Sequence, residues 1–421
     1  MDINKLYFAW ALLFLGGMSF AQKNILIENG FLHVGNGTVI ETASIGIEDG
    51  KIAHVKNSLA FSIDKSKYDL VIDVKGQHIY PGFIAPNSTL GLTEIDAVRA
   101  TLDFYEVGDY NPHIRALIAF NVESKVVGTV RTNGVLFAQA TPRGGAITGS
   151  SSVMRLFGWN WEDAVVKKDE GIHVNWPNFI NYGWREVKVN DDYKNEIREL
   201  ERFFTEAKNY ANTKEKDKKI DLRFESMKRI FDGKQRVYFR AERAQELLDV
   251  MLFVKKFDIK YPVIVGGYDA NLILDQLRDS KIPVMLGRVH ELPKVAEDDI
   301  HMPYKLPGIL QKAGILFCLQ NEGDMEAMNT RNLPFLAGQT RAFGLSNEEA
   351  VAAISLNAAK IMGIDKEYGS IEVGKSATLF ISKGDALDMR GNQVTHIIMD
   401  GKPQSVRNHQ DELYERFKEK R

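Results

Sequence analysis

Between Pro81 and Asp365, short apolar runs alternate with helical periods, and this alternation limits the possible folds more than any other feature of the chain. The runs include Val135 to Ala138, Val237 to Phe239, Val263 to Val265, Val284 to Leu286 and Ile315 to Leu319. Helical stretches such as Arg243 to Lys256, Ala270 to Asp279 and Asn347 to Met362 fall between or after them, with Asn347 as the expected N-cap of the last. A strand followed by a helix re-enters the sheet parallel to itself, because the helix carries the chain back over one face. Two layouts meet that condition, a closed β/α barrel and a doubly wound open sheet. No Gly-rich phosphate loop follows any of the strands, which disfavours the open sheet. The expectation is an α/β fold with a (β/α)8 TIM-like barrel over residues 81–367.

The flanks read differently. Ile25, Ile27, Ile45, Ile47, Ile52 and Val55 are spaced for sheet, and Glu48-Asp49-Gly50-Lys51 carries the Asp-Gly signal of a tight hairpin. The same pattern returns in Ile371 to Ile381 and in Val394 to Met399, which is followed by Asp400-Gly401-Lys402. Residues 22–80 and 368–421 are therefore expected to form one small composite β-sandwich domain. Within the central unit, Asp191 to Phe231 is highly charged, with Ile197, Leu200, Phe203, Phe204 and Ala207 on one helical stripe. That pattern fits a solvated helix pair packed outside the barrel; a partner-binding arm is the other reading.

A length of 421 residues accommodates both units, and 44% hydrophobic residues suffice for their cores. A net charge of -2 gives no reason to expect nucleic acid or an anionic membrane as partner. Residues 1–21 read as a cleavable signal peptide: Lys5 supplies the positive region, Leu6 to Met18 an apolar core too short for a stable span, and Ser19-Phe20-Ala21 the small residues before a cut at Gln22. A membrane-anchoring helix is the alternative. No cysteine stands directly after the cut, where Gln22 lies, against a lipoprotein. The expected location is outside the cytoplasm, periplasmic in a two-membrane bacterium. Cys318, the only cysteine, lies in an apolar run and reads as a small buried hydrophobe.

The first barrel strand is expected in Pro81-Gly82-Phe83-Ile84-Ala85-Pro86-Asn87-Ser88-Thr89-Leu90-Gly91, where an apolar run gives way to polar residues at the working face. This stretch resembles the opening strand of the amidohydrolase superfamily. The resemblance extends to Leu333 to Gly338, Phe343-Gly344-Leu345-Ser346, Leu356-Asn357-Ala358-Ala359 and Gly369-Ser370-Ile371-Glu372-Val373-Gly374-Lys375, with Thr378 in place of the family's usual Asp. Arg143-Gly144-Gly145, Gly149 to Ser152 and the Trp159 to Trp161 segment resemble a loop region of the exported, imidazolonepropionase-like group. The likeness runs from about Asn24 to about Lys402.

The resemblance implies hydrolysis of C–N bonds, with one or two divalent metals such as zinc activating water. It also implies where the ligands would stand. The His-x-His pair falls on Asn87 and Thr89, neutral oxygen groups that hold zinc poorly. A later histidine falls on Arg240, whose guanidinium cannot ligate a metal. Another falls at Gly266-Gly267-Tyr268, and the family's aspartate falls at or near Glu322. No two of the nine histidines are two residues apart, so no shifted His-x-His exists. His290 reads as a surface-loop residue rather than a ligand. Asn87, Thr89, Arg240, Gly267, Tyr268 and Glu322 are thus the expected pocket, with Arg240 and Glu322 the candidate working pair, no metal assigned, and no cofactor expected.

Three further features carry alternatives. The acidic stretch Glu94, Asp96, Asp103, Glu106 and Asp109 reads as a solvated loop, or as a weak calcium site or a funnel for cationic substrate. Gly144-Gly145 and Gly149 to Ser152 read as flexible loop, or as a backbone cradle for an anion. Asn87-Ser88-Thr89 matches a glycosylation sequon at a position facing a barrel mouth. Two functions stand side by side. One is an impaired or non-catalytic relative that binds a small molecule or pairs, as homodimer or as heterodimer with an active relative. The other is a divergent hydrolase using carboxylates or one weakly held ion.

Overall fold

The structure, a computed structural model, describes residues 23–61, 63–182, 187–214, 219–294 and 297–420; the expected signal peptide lies outside the described residues. The chain opens with β1 (Ile25–His33), β2 (Val39–Glu48), β3 (Lys51–Asn57), β4 (Leu70–Asp73) and β5 (His78–Pro81). Next come β6 (Phe83–Ser88), β7 (Val135–Ala140), β8 (Ile147–Arg155) and β9 (Val165–Asn175), then the antiparallel pair β10 (Ile180–Tyr182) and β11 (Val187–Val189). The chain continues through β12 (Arg236–Ala241), β13 (Pro262–Gly266), β14 (Val284–Leu286) and β15 (Phe317–Leu319). It closes with β16 (Leu379–Ser382), β17 (Val394–Met399) and β18 (Lys402–Gln404).

Both chain ends join one mixed sheet in the order β18-β17-β16-β5-β1-β2-β3, with β4 beside β1. The seam is β5 against β16, where Tyr80 faces Phe380 and Ile79 faces Ile381. Asp49 and Gly50 take φ of 49° and 78°, the left-handed values that a two-residue hairpin demands and that Asp-Gly supplies at low cost. Buried Ile25, Ile27, Ile45, Ile47, Ile79, Ile381 and Ile398 form this sheet's own core. Hydrogen bonding joins all eight strands into a single sheet, where two stacked sheets were expected.

The second sheet runs β6-β7-β8-β9-β12-β13-β14-β15. Every neighbouring pair is parallel except those involving β8, which runs against both β7 and β9. The fold is TIM-like, but strict β/α alternation fails there. Gly149 to Ser152, expected as loop, lies inside β8, and its small residues pack the strand under the 110–119 segment; a Cβ on Gly149 would come within 2.7 Å of the Ile114 carbonyl. The anion-cradle reading of that run is thereby removed. No ladder joins β15 to β6. Instead the helix expected over Asn347 to Met362 breaks into Asn347–Ala353 and Leu356–Met362, and the Ile354 carbonyl freed at the break accepts from Ile84 N at 2.8 Å. The N-cap is Ser346 rather than Asn347, with Glu349 completing a capping box.

The charged segment forms helices Tyr193–Asn212 and Leu222–Phe231. Leu200, Phe203, Phe204 and Ala207 are buried, with Ile197 partly so, as the stripe predicts. Phe204 packs edge-on to Phe253 at 4.9 Å, so this face belongs to the barrel's outer wall. Cys318 is free and buried, and burial pushes its thiol far above its ordinary range, as the packing role requires.

Candidate functional site

The C-terminal ends of the parallel strands deliver polar side chains to one mouth, as barrel geometry dictates. Asn87, near the end of β6, is fully buried at φ 48°, a conformation tolerated by Asn better than by most residues. That backbone turn lets both sides of Asn87 bond at once. Its Nδ2 donates to Gln320 Oε1 at 2.8 Å and to Glu322 Oε2 at 2.7 Å, beyond the end of β15. Its Oδ1 and its carbonyl accept from Arg143 at 3.0 and 2.9 Å. This side-chain bridge spans the β6–β15 gap that no backbone ladder closes.

Two guanidinium groups flank Glu322. Arg240 Nη1, from β12, donates to Glu322 Oε1, while its Nε donates to Asn175 Oδ1 at 3.1 Å. Arg143 Nε stands 4.0 Å from the same carboxylate, and Arg143 Nη2 pairs with Glu326 at 2.9 Å. Glu326 also accepts the Thr89 backbone N–H at 3.0 Å. Two cations and two anions therefore balance within one largely buried cluster. Burial alone would raise the Glu322 carboxyl, but Arg143, Arg240 and the hydrogen bonds from Arg240 and Asn87 outweigh it and hold Glu322 below the ordinary range.

Below the mouth the network continues into the barrel. Gln139 Oε1 accepts the Asn87 N–H at 2.8 Å, and its Nε2 donates to Glu170 at 2.5 Å. Glu170, fully buried, also accepts from Ser151 at 2.7 Å and from Tyr238 at 2.8 Å. Burial, helped by Arg143 and Arg240, pushes His173 well below its ordinary value, so it stays neutral and its Nε2 can donate to Ser151 Oγ, 2.9 Å away. Three neutral donors thus hold one buried carboxylate with good geometry.

Of the six expected pocket residues, Asn87, Arg240 and Glu322 meet directly. Thr89 is buried and joins through its backbone N–H. Gly267 and Tyr268 stand apart. Gly267 makes a left-handed turn at φ 69°, and Tyr268 OH donates to Asp298 at 2.6 Å; burial, helped by that bond, pushes the phenol up to about 12. The Tyr268 N–H donates to Glu242 Oε2 at 3.0 Å. Burial pushes Glu242 up despite Lys294 at 3.2 Å, and Glu291 is raised likewise.

Sequence reasoning placed Arg143 in a flexible glycine loop and missed its clamp on Asn87 and Glu326. It also missed Glu326 and the Gln139–Glu170 chain, whose signal was only polar residues inside apolar runs. Gly145 serves packing, since its carbonyl accepts from Asn175 at 2.6 Å and a Cβ on it would come within 2.7 Å of the Gly108 carbonyl. In the acidic stretch, Glu94 accepts from Asn121 and Ser124, both at 2.9 Å. Asn87 of the sequon is fully buried. His290 is exposed beside Tyr304.

The donors at the mouth do not fit a divalent metal. Amides, one hydroxyl and carboxylates already paired with Arg240, Arg143 and Lys294 offer no strong ligand set, and these cations would repel the ion. Among the described residues no three His, Cys, Asp or Glu side chains converge as a metal site.

Comparison with known proteins finds a family likeness in one segment and a fold likeness over most of the chain. Residues 308–406 match the amidohydrolase family model. No curated protein matches the chain. Similar solved structures include an amidohydrolase from Thermotoga maritima MSB8, 23% identical with a TM-score of 0.77 over 91% of this chain and 100% of that one. They also include a prolidase complexed with N-methylphosphonate-L-proline, 14% identical with a TM-score of 0.54 over 91% and 99%. An adenosine deaminase from Xanthomonas campestris with bound zinc is 14% identical, with a TM-score of 0.52 over 91% and 93%. The family-model match is thus confined to the C-terminal part of the chain, while the likeness to these structures extends over its fold.

Proposed function

We propose that this protein is an exported amidohydrolase relative whose barrel mouth binds a small molecule or a partner subunit instead of cleaving C–N bonds with a metal. One observation carries the reading. Glu322, the carboxylate at the family's aspartate position, is bonded by Arg240 and Asn87, which themselves stand where imidazole ligands would be. The cross-brace satisfies the groups a metal would otherwise satisfy. Partnership would be with a second copy or with an active relative of the same fold.

A second reading rests on the carboxylates. Glu322 is held low while Glu242 and Glu291 are raised, and divergent carboxyl environments at one mouth are what general acid and base need. In that reading the chain hydrolyses C–N bonds with carboxylates and water. Steady-state assays of chelator-treated protein on dipeptides and cyclic amides separate the two. No turnover above buffer, with co-purification of a metal-bearing relative, supports the binding reading. Saturable turnover that Glu322→Gln abolishes overturns it.

A further inference from the structure

A second concavity borders the mouth, where the ends of β14 and β15 meet the loop between β16 and β17. It encloses about 660 Å³ and is lined by Arg288, Phe335, Leu336, Leu387 and Met389, with Asn and Gln amides along one wall. Pockets that bury small ligands span roughly 300–1,000 Å³ and favour junctions between structural units. This one joins barrel to composite sheet.

Its charge is specific. Arg288 Nη2 donates to the carbonyls of Asn321 and Asp324 at 3.3 and 3.2 Å. Its Nε is buried without a partner, and among the described residues nothing accepts from Nη1. Among the described residues no carboxylate comes within ion-pair distance of it; Glu291 feels Arg288 from farther away. The other arginine on the lining, Arg341, is already paired with Asp385 at 2.6 Å and with Asn347 at 2.7 Å. A half-buried guanidinium lacking its counter-charge attracts an anion. One uncommitted cation, with Asp388 also on the lining, suits a monoanion better than a phosphate dianion. The wall amides of Asn329 and Asn332 are occupied, donating to the Asp324 carbonyl and to Asn329 Oδ1. What remains is His290, the Gln339 amide and apolar surface from Phe335, Leu336, Leu387 and Met389.

We propose that this cleft is a binding site for a monocarboxylate with an apolar tail, its head on Arg288 and its tail against Phe335, Leu387 and Met389. The proposal does not depend on how the barrel mouth works. Octanoate titrated calorimetrically into the full chain is the test, with octanamide and octylamine as matched probes. Octanoate should bind saturably, and both matched probes should bind at least about tenfold more weakly, because only the carboxylate meets the guanidinium. Arg288→Met should lower octanoate affinity by at least about tenfold. That variant also frees the Asn321 and Asp324 carbonyls, so Met389→Asp serves as a second probe. Met389 is 73% exposed, so its replacement spares the fold while setting a carboxylate beside the tail, and affinity should again fall. Absence of saturable octanoate binding, equal binding of octanamide, or unchanged affinity in both variants would overturn the assignment.

Discussion

Replacing Arg240 by Met tests whether the mouth is cross-braced. Removing one partner of a fully buried ion pair costs about 3–5 kcal/mol, because the other charge is left uncompensated. Here the side chains of Arg240 and Glu322 keep 30% and 21% of their surface exposed, and water screens what remains. Arg143, 4.0 Å from Glu322, still compensates part of the charge. The expected loss is therefore about 2 kcal/mol, below the buried limit and above the surface median. Isothermal urea denaturation of wild type, Arg240→Met, Glu322→Gln and the double variant closes a double-mutant cycle. The double variant should be less destabilised than the sum of the singles, giving a coupling of about 1–2 kcal/mol that changes little with salt, since both groups are mostly shielded. A coupling below about 0.5 kcal/mol would refute the cross-brace.

The two mouth carboxylates should respond to pH with opposite sign. Glu322 is held below its ordinary 4.5, so the stabilisation it confers is full above that value and is lost as pH falls through the folded one. Glu242 is raised above 4.5, so its contribution is present at acid pH and is lost as pH rises through the raised value. In urea midpoints plotted against pH, Glu322→Gln should flatten the acid limb and Glu242→Gln the limb above it; parallel shifts in both would contradict the assignment. Asn87→Ala forfeits two side-chain donor bonds and strains Ala at φ 48°, so it should cost about 2 kcal/mol or more by the same assay. Asn87→Gly relieves the strain alone and should be milder by about 1 kcal/mol. Phe204→Ala, at a fully buried position on the outer helix pair, should cost about 3–5 kcal/mol, and a cost under 1 would detach that pair from the core.

The parts of this architecture legible in sequence are those governed by local periodicity. The runs that became β7, β12, β13, β14 and β15 were visible because a buried parallel strand is a continuous apolar run. The Leu200–Phe204–Ala207 stripe was visible because helical spacing puts those residues on one face. β8 was hidden because Gly149 to Ser152 has loop composition, and only its packing under Ile114 shows why small residues are needed there. Composition likewise predicted strands at both chain ends, while their union in one sheet depends on Tyr80 facing Phe380, 300 positions apart in sequence. At the mouth, a resemblance in strand pattern set Asn87, Arg240 and Glu322 side by side, and the three side chains do meet. Arg143 escaped because a guanidinium in a glycine loop announces nothing until its acceptors, Asn87 and Glu326, are in place.

Metal content per chain bears most directly on the proposed function. The chain from Gln22 onward would be purified without chelator and analysed by elemental mass spectrometry. A mouth closed by Arg240, Arg143, Asn87 and Glu322 predicts zinc, manganese and iron near zero equivalents. One or two equivalents of any of them would contradict it, because the ion could be held only if those groups part and other ligands converge.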